Sequence, residues 1–151
     1  MRLEEVVGAS RAVAGTSGRL EKVGHLADLL RRVPPEEVES VIGFLSGAAR
    51  QGRMGIGGAT LSGLRDVTPE DAPTLDVRDV DGAFDRLAAS AGAGSGSRRA
   101  ELLRQLFRQA TSGEQDFLLR LLFGEIRQGA LEGVLLDAVS KASGIAATRH
   151  R

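Results

Sequence analysis

The chain has 151 residues, 15.9 kDa, 42% apolar residues and a formal net charge of zero, enough apolar material for one ordinary domain with a real core. Five Phe with no Trp and no Tyr make that core aliphatic, and the absence of Cys excludes a disulfide framework and thiolate chemistry. Zero net charge excludes a generic polyanion binder, and no apolar run or signal-type amino terminus points to a membrane or to export, so a cytoplasmic chain is expected.

In chain order, Leu3 to Ala14 reads as a short helix with Leu3, Val6, Val7 and Val13 on one side. Thr16-Ser17-Gly18 breaks it, and Ser17 or Thr16 can cap a second helix from Arg19 to Val33, whose Leu20, Val23, Leu26, Ala27 and Leu30 form a core stripe. Pro34-Pro35-Glu36-Glu37 is a helix start, proline in the first turn and acids at the positive end, opening a helix that runs to about Arg50. Gln51 to Gly58, QGRMGIGG, holds four glycines. It suits a loop whose backbone approaches a ligand closely. Its G-x-G-G order is not a dinucleotide fingerprint, because no strand precedes it. A short helix, Ala59 to Leu64, should follow.

Asp66 to Asp76, with Pro69, Pro73 and four acidic residues, should cross the surface without regular structure. Asp76 can cap a helix from Val77 to Ala89. Gly92 to Ser97 is a low-complexity link. Arg98 to Ala110 resumes as an amphipathic helix with Leu102, Leu103, Leu106 and Phe107 inside and Arg98, Arg99, Arg104 and Arg108 outside. Ser112 with Gln115 suggests a capping box for the next helix. From Phe117 to Val139 two apolar-faced helical runs meet at Arg127-Gln128-Gly129, where Gly129 can close the first run and the free N–H groups of the second can receive an anion. The last helix fades around Ser143-Gly144, and 145–151 reads as a tail.

Gly47-Ala48-Ala49-Arg50-Gln51-Gly52 and Gly124-Glu125-Ile126-Arg127-Gln128-Gly129 share G-x-x-R-Q-G, 77 positions apart. At that offset Leu26 aligns with Leu103, Leu29 with Leu106, Leu30 with Phe107, Glu37 with Glu114, Val41 with Leu118, Phe44 with Leu121 and Leu45 with Leu122. Helical periodicity explains the leucines but not the Gly, Arg, Gln and Gly of the joint. The expectation is an all-α single domain of about eight helices in two pseudo-symmetric halves, about 1–91 and 98–144, with 92–97 as linker. Residues 1–91 carry 11 basic and 14 acidic residues, residues 92–151 carry 9 and 6. Of the 20 basic residues 18 are Arg, the side chain suited to bidentate phosphate contact, although a GC-rich genome produces the same bias.

Little catalytic chemistry is visible. His25 and His150 are the only histidines, so zinc lacks its ligand set and a Ser-His-Asp arrangement lacks a nucleophile elbow. Glu36, Glu37 and Glu39 read as a solvated first helical turn, and no phosphate-binding Walker loop occurs.

Thr16-Ser-Gly-Arg-Leu-Glu-Lys followed by HLADLL, FLSG with the downstream MGIGGATL, and above all EQDFLLRLLFGEIRQGALEGVLLDAV resemble the amino-terminal DNA-binding domain of ATP-dependent DNA ligases. The bacterial and archaeal type related to the eukaryotic replicative ligase is the nearest, and the resemblance covers roughly residues 1–144. It implies an all-helical domain that grips the minor groove on both sides of a nick through helix-end loops. The residues so implicated are Arg50, Gln51, Gly52, Arg53, Gly55 and Gly57, with Arg98, and Arg127, Gln128 and Gly129. Arg50 and Arg127 would each neutralise a phosphate. The family's catalytic lysine lies in a downstream K-x-D-G motif, whereas Lys141-Ala142-Ser143-Gly144 has Ser in place of the carboxylate. The resemblance therefore implies a non-enzymatic monomeric module, with ATP and Mg2+ serving catalytic domains elsewhere in the same ligase and nicked duplex DNA as partner. Zero net charge and the acidic stretches leave a helical protein-interaction module as the alternative.

Overall fold

A computed structural model describes residues 1–52, 54, 56–90, 94–126 and 129–143, with the backbone alone at 129–132. Eight α-helices are described: α1 (Leu3–Ala14), α2 (Arg19–Arg32), α3 (Val38–Ser46), α4 (Gly58–Gly63), α5 (Val77–Ala89), α6 (Ser95–Arg108), α7 (Ser112–Phe123) and α8 (Gly129–Ser143). Two 3-10 turns, Pro35–Glu37 and Leu64–Asp66, lead into α3 and out of α4. Among the described residues no sheet forms, and the only ladder contacts are isolated bridges, Arg2 with Asp76 and Glu70 with Thr111. The domain is all-α.

The core is aliphatic with three fully buried phenylalanines, Phe44, Phe84 and Phe107. Leu3, Val6, Val7 and Val13 of α1 are all buried, as their spacing requires. In α2 the stripe holds from Val23 to Leu30 but not at Leu20, which is 84% exposed. Leu29 widens the buried face instead. Helical spacing shows which side of α2 is apolar, not how far along it a neighbour reaches. The broadest contact of α2 is with α8, so the first and last parts of the chain share one core.

Several helix ends differ from the sequence reading in instructive ways. Gly18 precedes α2 with no side-chain cap, and the Thr16 hydroxyl instead donates to the Ala12 carbonyl at 2.7 Å. The helix after Pro34-Pro35 stops at Ser46, not near Arg50, because Gly47 takes a left-handed φ of 83°. α6 begins at Ser95, three residues before Arg98, after Gly94 at φ 79°. The capping box of α7 is Thr111 with Glu114 rather than Ser112 with Gln115: the Thr111 hydroxyl accepts from the Glu114 N–H, and the Glu114 carboxylate accepts from the Thr111 N–H at 2.7 Å. Gln115 is then free to turn inward, donating to the carbonyls of Phe107 at 2.9 Å and Val67 at 3.2 Å. Asp76 caps α5 in a reciprocal box with Asp79, as its position suggested.

The 77-residue offset has a physical counterpart. Leu26 and Leu103, Leu29 and Leu106, Leu30 and Phe107, Val41 and Leu118, and Phe44 and Leu121 are all buried, and so are both glutamates, Glu37 and Glu114. Only Leu122, opposite the buried Leu45, is half-buried. Glu37 therefore departs from the solvated turn expected of it. It lies under the chain's amino terminus, accepting a 2.9 Å hydrogen bond from the Met1 ammonium.

Candidate nucleic-acid interface

Both G-x-x-R-Q-G segments begin with the same backbone device. At the end of α3, the Ala48 N–H donates to the Gly43 carbonyl at 2.9 Å and the Gly47 N–H to the Phe44 carbonyl at 3.4 Å. At the end of α7, the Glu125 N–H donates to the Arg120 carbonyl at 2.8 Å and the Gly124 N–H to the Leu121 carbonyl at 3.2 Å. Each pair is a Schellman closure, and each needs a left-handed residue, Gly47 at φ 83° and Gly124 at φ 73°. The first glycine of each segment, not the last, thus closes the helix. Gly129, expected to close the helix before the second joint, is instead the first residue of α8.

The two joints face a common concavity. A cavity of about 760 Å³ is lined by Gly47, Ala48, Ala49, Gly52, Met54 and Ile56 from one side and by Leu121, Leu122, Phe123 and Gly124 from the other. Glycine and apolar residues alone make up this lining. Gly52 also has a left-handed φ, 73°, and its N–H donates to the Ala49 carbonyl, turning the loop toward Met54. Gly57 directly precedes α4, whose Leu61 N–H donates to its carbonyl. Arg98 stands exposed in the first turns of α6 and does not line the cavity. Arg53, Gly55, Arg127 and Gln128 lie outside the described residues.

Arg50 and Gln51 are turned toward α5. The Arg50 guanidinium meets Asp81 through Nε at 3.3 Å and Nη2 at 2.9 Å, and Nη2 also reaches Asp85 at 2.6 Å. Gln51 Nε2 donates to the Asp81 carbonyl and Oδ1, both at 3.0 Å, and to Asp85 Oδ1 at 2.9 Å. Partial burial pushes the Asp81 carboxyl up, but hydrogen bonds from Arg50, Gln51 and Ser40 and the Arg50 charge outweigh it and hold the group below the usual carboxylate range. The same pairing raises Arg50 above its ordinary value, chiefly through its hydrogen bond to Asp81.

Gly43 explains why the loop can lie where it does. A Cβ there would stand 2.8 Å from the Ala48 carbonyl oxygen and 3.3 Å from the Arg50 nitrogen, both main-chain atoms that can move only with the loop. Gly43→Ala is expected to cost about 1–3 kcal/mol, the range for an overpacked site, read as a lowered midpoint in thermal or urea unfolding. The corresponding position at the second joint is Arg120, so the close return of the chain is particular to the first.

Sequence reasoning missed three contributors to this face. Asp81 and Asp85 stand one helical turn apart on α5, a spacing that reads as solvated surface unless the facing loop is known. Arg65, in the 3-10 turn after α4, lies over the Phe123 ring with its guanidinium carbon 5.7 Å from the centroid. No motif marks it, and only the approach of α4 to α7 brings the two together.

An all-α domain with internally repeated helix ends turned to one concave face is a class of fold rather than a particular protein. Residues 62–140 match the family described as DNA ligase N terminus. The chain belongs to that family. A "Probable DNA ligase" of Anaeromyxobacter sp. (strain Fw109-5) is 52% identical over 152 residues, covering 100% of this chain and 29% of the relative. Those of Rhodococcus jostii (strain RHA1) and Saccharopolyspora erythraea are 48% and 50% identical over 143 residues, each covering 95% of this chain and 28% of the relative. The chain thus spans under a third of the curated relatives it matches. No described helix is long and apolar enough to cross a membrane.

Proposed function

We propose that this chain is the DNA-binding module of an ATP-dependent DNA ligase, gripping the minor groove and backbone of duplex DNA on both sides of a nick. The observation that carries the reading is the pair of Schellman-closed helix ends, 77 residues apart in sequence, that share one concave face in a member of the ligase family. Glycine-rich main chain at such ends can approach phosphate and sugar closely, and contacts of that kind carry no base code, so binding should be nearly independent of sequence. The loop from Arg50 to Gly57 and the joint Arg127 to Gly129 are the proposed contact segments, with Arg98 an additional cation.

In this reading ATP and Mg2+ serve the remainder of the ligase. Among the described residues no group of three or more His, Cys, Asp or Glu could hold a metal ion. Lys22 and Lys141 are the only lysines, and neither lies in K-x-D-G. No nucleotidyl-transfer step is therefore assigned to this chain, and incubation with labelled ATP should leave it unlabelled.

A salt titration of binding to a nicked duplex tests the proposal. The logarithm of the association constant should fall linearly with the logarithm of salt concentration, with a slope of about −0.9 per phosphate contacted. Absence of binding at low salt would favour the helical protein-interaction reading instead. One observation supports a protein contact beside the DNA contact. Ile42, Leu135, Leu136 and Val139 line an apolar depression in which Leu136 is 65% exposed, a surface suited to the catalytic portion of the same ligase.

A further inference from the structure

We propose that the two arginines beside the shared cavity divide the work: Arg50, locked to Asp81 and Asp85, positions the first joint, while Arg65, seated on Phe123, presents its charge to a DNA phosphate. The assignment rests on the DNA-binding reading and goes beyond it, because neither Arg65 nor the α5 carboxylates belong to the repeated motif.

The first half follows from charge and geometry. Two carboxylates converge on the Arg50 guanidinium at 2.6 and 2.9 Å, and the neighbouring Gln51 amide adds three contacts to the same two residues. The local sum is negative, one cation against two anions. A phosphate drawing Arg50 away would leave two carboxylates uncompensated next to a polyanion, and their repulsion opposes that move. Held where it is, Arg50 anchors the loop whose Gly52 turn and Ala48 and Ala49 backbone line the cavity. It is a positioning residue.

The second half follows from what Arg65 lacks. Its guanidinium is exposed and, among the described residues, forms no ion pair. Cation–π contact occupies one face of the planar group and leaves its N–H edge open for bidentate phosphate contact. Phe123, the ring beneath it, is the residue before Gly124 and lines the cavity. The charge is thereby fixed to the second joint.

The experiment measures binding of the full chain to a fluorescent nicked duplex across a salt series, together with amide exchange of Ala48 and Gly52 in the free chain. Arg65→Ala should lower the salt slope by about one phosphate contact and leave amide protection unchanged. Arg50→Ala should weaken binding about tenfold or more with the slope unchanged, and expose both amides to faster exchange. Asp81→Asn with Asp85→Asn removes two negative charges near the DNA, so simple electrostatics predicts tighter binding, whereas the positioning role predicts weaker binding. Tighter binding with a steeper slope in that variant, or a lowered slope in Arg50→Ala, would overturn the role given to Arg50. An unchanged slope in Arg65→Ala would overturn the other half. If the double variant fails to fold, Asp85→Asn alone, at the more exposed carboxylate, should still speed exchange at Gly52, and unchanged protection there counts against the anchor. Failure of the unaltered chain to bind DNA removes the DNA-binding reading itself, while the exchange measurements continue to report on the anchor.

Discussion

Glu37→Ala is expected to destabilise the fold by about 1.5–3 kcal/mol, the range for losing a hydrogen bond between charged groups at a partly buried site. The Glu37 side chain is 5% exposed and so is the better buried member of a half-buried pair, in which the Met1 ammonium stands at 2.9 Å and the Arg78 guanidinium at 3.8 Å. That ammonium is held in place by main chain: the Val77 N–H donates to the Met1 carbonyl at 2.8 Å and the Leu3 N–H to the Leu75 carbonyl at 2.9 Å. Those bonds fix it against the segment that leads into α5. Glu37→Gln keeps an acceptor oxygen for the ammonium and should cost less than the alanine change. Acetylation of the Met1 amine removes the same charge from the other side and should mimic the loss. Urea unfolding of the three species gives the ordering, and a midpoint for Glu37→Ala equal to that of the unaltered chain would show that the pair contributes nothing net.

This pair also marks where the sequence stops being informative. The periodic apolar faces of α1 and α6 are legible because helix geometry depends on residues three and four apart. Burial of Glu37 depends on two partners far along the chain, the Met1 ammonium and the Arg78 guanidinium, the first of which is not a side chain at all. A glutamate in the first turn of a helix has a good local explanation, and nothing within ten residues contradicts it. The same limit applies to Leu20, whose place on the apolar face of α2 is clear and whose exposure is set by neighbours elsewhere in the chain.

The candidate site was legible in its repeat and not in its chemistry. Gly47 and Gly124 stand at matching positions and close their helices by matching hydrogen bonds, so the offset read from the letters reflects a real backbone equivalence. Choosing between Gly124 and Gly129 as the closing residue was beyond local reasoning, since either can take a left-handed φ. The surroundings of Arg50 were equally out of reach. G-x-x-R-Q-G places an arginine beside a glycine turn, and whether its partner is a phosphate or a carboxylate is decided by Asp81 and Asp85, more than thirty residues further on.

Phe84→Ala is expected to cost about 3–5 kcal/mol, the range for removing a large buried aromatic side chain. The ring is fully buried, and it meets Phe44 edge-to-face with centroids 5.9 Å apart and an interplanar angle of 78°. Such a pair contributes roughly 0.5–1.5 kcal/mol beyond its buried area. Phe44 lies on α3, three residues before Gly47, and Phe84 lies on α5 between Asp81 and Asp85. The ring contact therefore sets the separation of the two elements that Arg50 bridges. Loss of the ring should act twice, lowering the unfolding midpoint and loosening the loop while the chain remains folded. Phe84→Leu, which retains most of the volume, should recover much of the stability and most of the Ala48 and Gly52 amide protection. Urea unfolding with amide exchange separates the two effects. Full loop protection in Phe84→Ala at a denaturant concentration where it stays folded would show that the ion pairs alone hold the joint against α5.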